Sequence, residues 1–86
     1  MKIGIAGSLE SNDVLITVKP ASGRKIDIHS IVDVFFHDQI MKVINDTLTE
    51  KGIVDVEVTV EDKGALDYTI RARLLTALAR MEAKDA

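Results

Sequence analysis

Apolar and polar residues alternate along much of the first thirty positions and again in the fifties, and two longer stretches repeat every three or four residues. Ile3 to Gly7 is a short apolar run that predicts a first strand, weakened by Gly4 and Gly7. Val14, Ile16 and Val18 then alternate with Leu15, Thr17 and Lys19, a period of two that predicts a second strand stopped by Pro20. Between them, Glu10 to Asp13 reads as a hairpin loop, because Ser, Asn and Asp hydrogen-bond their own backbone and accept turn dihedrals. PASGR is a loop. KIDIHS alternates again, with Ile26 and Ile28 on one face and Lys25, Asp27 and His29 on the other.

Ser30 suits a helix N-cap, with Asp33 three residues later close to a capping box. From Ile31 to Lys51 there is no Pro or Gly, and Val32, Phe36, Ile40, Val43, Ile44 and Leu48 form an apolar stripe. Gly52 is the expected stop. In VDVEVTVE, Val54, Val56, Val58 and Val60 face one way and Asp55, Glu57, Thr59 and Glu61 the other, a strand with one buried and one wet face. Asp62-Lys63-Gly64 is read as a turn. A second helix follows, with Leu66, Ile70, Leu74, Leu78 and Met81 on its stripe, and Ala72, Ala77 and Ala79 allowing close packing. Asp67 and Arg71 stand in the favourable i,i+4 order. The order β-β-β-α-β-α predicts an α+β two-layer sandwich, about four strands with two helices on one face.

Composition limits what such a fold can do. Eighty-six residues predict a single domain over 1–86. A chain this size buries only about 60–65% of the surface it exposes when unfolded, leaving little room for a deep catalytic cleft. That favours a carrier, adaptor or subunit over a self-contained enzyme. Apolar residues make up 47% of the chain and charged ones 29%, enough for a core built mainly from Val, Ile and Leu. The net charge of −3 argues against nucleic-acid binding. MKIGIAGSLES lacks the apolar h-region of a secretory signal, and no run approaches the ~18 apolar residues of a membrane span. Cytoplasmic residence is therefore expected. Cysteine is absent, so a thioester here would need a sulfur that the chain does not supply.

Candidate chemistry is sparse. His29 lies beside Asp27 and His37 beside Asp38, but neither has metal-ligand spacing, so no metal site is expected. Asp55, Glu57 and Glu61 read as a solvated face, or as an electrostatic docking surface for a larger partner. Arg73, Arg80 and Lys84 fall near one helix face, where they keep the helix soluble or meet acidic partners or phosphates. Ser11 has no neighbouring His and no G-x-S-x-G elbow, and by spacing alone it is a turn residue.

Two segments change that reading. AGSLESNDVLITVKP at 6–20 and VDVEVTVEDKGALDYTIRARLLTALAR at 54–80, with DIHSIVDVFF between them fitting more loosely, resemble the citrate lyase acyl carrier protein (gamma subunit) family over nearly the full length. The resemblance implies that Ser11 carries a prosthetic group, phosphoribosyl dephospho-coenzyme A, through a phosphodiester. It implies that acetyl and citryl thioesters are presented on that arm and that no side chain here is catalytic. The implied partners are the citrate lyase alpha (acyl transferase) and beta (acyl lyase) subunits and a prosthetic-group transferase, with neither nucleic acid nor membrane. Arg73 and Arg80 are expected partner contacts. The family often has Gly where this chain has Asn12, and often a longer C-terminal tail. Glu10 and Asp13 flank Ser11 and would repel the phosphates of the arm, which is then expected to project away. The alternatives are the carrier subunit of malonate decarboxylase, or a small α+β interaction domain without a covalent cofactor.

Overall fold

A computed structural model describes residues 3–31 and 34–83. Its elements are β1 (Gly4–Gly7), β2 (Val14–Pro20), β3 (Arg24–Ser30), α1 (Val34–Glu50), β4 (Val56–Asp62) and α2 (Asp67–Glu82). The expected order and the two-layer α+β architecture are both present. The strands form one mixed sheet in the order β1-β2-β4-β3, with β1–β2 and β2–β4 antiparallel and β3–β4 parallel. The parallel pair needs a crossover connection, and α1 provides it.

Period-two alternation places Ala6, Val14, Ile16, Val18, Val56, Val58 and Val60 on the face beneath the helices, all buried. Ile40, Ile44 and Leu48 of α1 and Ile70, Leu74, Ala77 and Leu78 of α2 close over them. Each fully buried aliphatic side chain contributes roughly 1.5–3 kcal/mol. On the other face, Lys19, Lys25, Asp27, His29 and Glu61 are exposed, and Glu57 pairs with Lys19 at 3.1 Å. Asp55 precedes β4 and accepts a bond from the Gly23 N–H at 2.9 Å.

Gly4 has a steric function. A Cβ there would lie 1.9 Å from the carbonyl oxygen of Ala77 and 2.7 Å from Met81 N, so the α2 backbone rests directly on β1. Gly52 stops α1 as expected: its φ is 68°, the Ile53 N–H bonds the Leu48 carbonyl at 2.9 Å, and the Gly52 N–H bonds that of Thr49 at 3.0 Å. These two bonds make a Schellman cap, and half-buried Ile53 packs against the core.

Several boundaries differ from the expectation. Ser30 pairs with Asp62 in the parallel ladder and the Ile31 N–H bonds the Asp62 carbonyl, so β3 runs to Ser30 and α1 begins at Val34. Val32 and Asp33, part of the expected helix start, lie outside the described residues, as does Lys84. β4 begins at Val56, leaving Val54 exposed, and Asp62 is its last residue rather than a turn residue. Phe36 is 54% exposed. Phe36 lies one turn before the buried Ile40 and lines a surface groove with Gln39, Gly64, Leu66 and Asp67. Of the three alanines on α2, only Ala77 is buried; Ala72 and Ala79 are exposed. Arg71 bonds Glu50 of α1, and Asp67 accepts from Gln39, so the expected Asp67–Arg71 pair is replaced by links between the two helices.

Candidate functional site

The β1–β2 connection, residues 8–13, is mostly polar, with Leu9 its one apolar residue and 56% exposed. The Ser8 N–H donates to the Val14 carbonyl at 3.2 Å and closes the hairpin. Within it, the Asp13 N–H donates to the Glu10 carbonyl at 3.1 Å, making a β-turn with Ser11 and Asn12 at its corners. Asn12 has φ 66°, a conformation that Asn tolerates far better than most residues. Ser11 is exposed, and among the described residues its hydroxyl has no hydrogen-bond partner.

Asp13 is the hub of the loop. Its Oδ2 accepts from Ser8 Oγ at 2.7 Å, and its Oδ1 accepts from the Val14 N–H at 2.8 Å. Arg73, reaching down from α2, donates Nε–H to Oδ1 at 3.0 Å and Nη2 to Oδ2 at 3.2 Å. The Arg73 hydrogen bonds, and then those from Ser8 and Val14, lower the Asp13 pKa to about 2. Asp13 therefore carries a neutralised charge. Of the two acids expected to repel an attached phosphate, only Glu10 faces solvent without an ion-pair partner among the described residues.

A second anchor comes from the β4–α2 connection. The Asn12 N–H donates to the Lys63 carbonyl at 2.8 Å, and the Lys63 N–H donates to the Asp13 carbonyl at 2.9 Å. Lys63 is held in place by its neighbour Asp62, 2% exposed. The Asp62 carboxylate accepts from the Ala65 N–H at 2.9 Å and from Ser30 Oγ at 2.8 Å. Segments far apart in sequence, LESND, DKGALD, RARLL and the end of DIHS, thus meet at one pole of the sheet. Periodicity gives no sign of this, because Asp13 and Arg73 are 60 residues apart.

Other candidate residues lie elsewhere. Arg80 donates Nη1–H to the Ile5 carbonyl at 2.6 Å, so it and Arg73 both bond the β1–β2 hairpin. His29 bonds Asp27 at 3.0 Å on the exposed sheet face, and His37 stands 3.8 Å from Asp38 on an exposed part of α1. Among the described residues, no three His, Cys, Asp or Glu side chains converge on a metal position, and no helix is long and apolar enough to cross a membrane.

This arrangement offers one chemical group: a free primary alcohol on a turn held from two sides. Of the two flanking carboxylates, Asp13 is occupied by four donors, and exposed Glu10 makes no hydrogen bond to the Ser11 hydroxyl among the described residues.

Comparison with known proteins gives a consistent result. The family model described as malonate decarboxylase delta subunit (MdcD) matches residues 1–81. The citrate lyase acyl carrier protein of Albidiferax ferrireducens is 49% identical over 82 residues, covering 93% of this chain and 84% of that protein. Its counterpart in Halothermothrix orenii is 46% identical over 76 residues, covering 87% and 81%. The crystal structure of a Pseudomonas malonate decarboxylase hetero-tetramer in complex with malonate contains a chain of the same fold. Its TM-score is 0.77 at 14% identity, over 92% of this chain and 82% of that one.

Proposed function

The chain belongs to the citrate lyase acyl carrier protein family, and from that premise we propose that residues 1–86 act as one non-catalytic carrier unit whose working group is attached through Ser11 Oγ. The observation that supports this most directly is the exposed Ser11 hydroxyl, without a partner among the described residues, at the corner of an anchored turn. A hydroxyl in that setting is open to esterification without loss of any internal hydrogen bond.

The attached group proposed is phosphoribosyl dephospho-coenzyme A, joined by a phosphodiester. When bound, it supplies the thiol for acyl transfer that a chain without cysteine lacks. The residues here fit that assignment. Ser11 provides the alcohol, Asn12 supplies the positive-φ corner that turns it outward, and Asp13 is held by Arg73 away from the solvent side. Exposed Glu10 disfavours the return of phosphates onto the loop by an amount that salt reduces. No side chain of this chain acts as acid or base.

In the cytoplasm, the partners would be the citrate lyase alpha and beta subunits, acting as acyl transferase and acyl lyase in the cleavage of citrate, together with the transferase that installs the group. Tethering raises the effective concentration of the acyl group at both active sites. Intact mass of the protein from its native source tests this, since a foreign host need not contain the transferase. A mass excess matching the group, abolished in Ser11→Ala, is the expected result; an unmodified chain in a working complex refutes it. A malonate decarboxylase carrier is the second reading, favoured by the description of the matching family model. Reconstitution with the catalytic subunits of each system separates the two.

A further inference from the structure

We propose that Arg73 and Asp13 are a positioning pair, whose bidentate contact holds the 8–13 loop in the one conformation that presents Ser11 Oγ outward. The inference rests on the carrier reading for what Ser11 is presented to. A six-residue surface connection is ordinarily among the least stable parts of a fold. Here the backbone bonds to Lys63 fix Asn12 and Asp13 on one side, and Arg73 fixes the Asp13 carboxylate on the other.

The pair is not an ordinary surface salt bridge. The Asp13 side chain is 17% exposed and that of Arg73 43%, and both carboxylate oxygens are engaged by the planar guanidinium fork, a geometry lysine cannot reproduce. The arginine stem is itself located, because its Cδ runs beside Gly7, 3.4 Å from where a Cβ would stand. One turn further along α2, Ala77 lies against Gly4. Helix position, arginine position and loop position are thus linked, α2 through its backbone at Gly4 and Arg73 through its stem at Gly7 and its guanidinium at Asp13.

Asp13 is a positioning residue and not a base. Its two oxygens take four donors: Ser8 Oγ, Val14 N, Arg73 Nε and Arg73 Nη2. When Ser11 Oγ forms its bond to phosphorus, the leaving oxygen of an activated nucleotide-type phosphate donor departs with the electron pair. The serine proton then goes to a group on the modifying enzyme.

The test compares Arg73→Gln, Arg73→Lys and Asp13→Asn with the parent chain, using two readouts. In the unmodified chain, amide relaxation at residues 10–12 should change from rigid values, order parameters of about 0.85, toward the flexible range below about 0.6 in Arg73→Gln and Asp13→Asn. Arg73→Lys should fall between. In the native host, the rate at which the chain gains the mass excess should drop by about tenfold to a hundredfold in Arg73→Gln, the range expected when a reacting group is misplaced. Partial recovery of the rate in Arg73→Lys would mark positioning, provided all three variants show α2 resonances like those of the parent. Unchanged loop relaxation, or an unchanged loading rate, overturns the proposal. If instead Ser11→Ala gains the group as fast as the parent, the carrier assignment of Ser11 fails, and the relaxation result still reports on the pair.

Discussion

Replacing Gly4 by Ala tests whether α2 is seated on β1 by backbone contact. The new Cβ would meet the Ala77 carbonyl oxygen at 1.9 Å, whereas ordinary van der Waals contact begins at 3.4 Å. Strand and helix must therefore separate by about 1.5 Å, which on a packing potential forfeits much of the attraction between the facing atoms. The overpacking cost is about 1–3 kcal/mol, occasionally more. With an unfolding entropy of about 2.1 cal/mol/K per residue, the 86 residues give roughly 180 cal/mol/K, so each kcal/mol lowers Tm by about 5–6 °C. Calorimetry should record a fall of about 5–17 °C. Amide shifts should appear in residues 8–13, because Arg73 moves with the helix. Gly52→Ala is the control: its φ is 68° but no atom lies within 4 Å of the added carbon. That change should cost about 1–2 kcal/mol and leave the 8–13 amides in place. A Gly4→Ala protein melting within about 2 °C of the parent, with an undisturbed loop, would show that α2 is not seated as described.

Ile44→Ala, at a fully buried position facing the valine strands, should lose about 2–5 kcal/mol in chemical denaturation with the denaturant slope unchanged. Asp62→Ala strands the Ala65 N–H and removes the carboxylate that accepts from Ser30, an expected cost of about 1–3 kcal/mol. Heteronuclear spectra of that variant should move most at Lys63 and Asn12. The Asp13 pKa is lowered from 3.8 to about 2, so its stabilising contribution is complete above about pH 4 and is lost as pH falls toward 2. A carboxyl-carbon titration of Asp13 with its midpoint near 3.8 would contradict the Arg73 contact.

Much of this fold is legible in the sequence because each element repeats one simple period. Val56, Val58 and Val60 announce a half-buried strand, and Ile40, Ile44 and Leu48 a helix covering it. Where periodicity misleads, a neighbour outside the window decides. Phe36 continues the stripe of α1 but lies exposed at the edge of a groove beside the β4–α2 connection. Val54 continues the valine alternation where β2 has no residue to pair with it, since the β2–β4 register ends at Pro20 opposite Val56. Asp62 resembles a turn residue, yet it is buried because Ser30 and the Ala65 N–H satisfy its carboxylate. The site was legible only through two matched segments. No local rule connects Asp13 to Arg73 or Asn12 to Lys63, since those contacts depend on the strand order β1-β2-β4-β3.

That dependence gives the loop a place in time as well as in space. Its partners are synthesised after it, with Arg73 following Asp13 by 60 residues. During synthesis the Ser11 segment emerges early, but it cannot take its anchored shape until β4 and α2 have followed and α2 has docked. The anchored turn around Ser11 is therefore a property of the folded domain, absent until α2 has docked on β1 and Arg73 reaches Asp13.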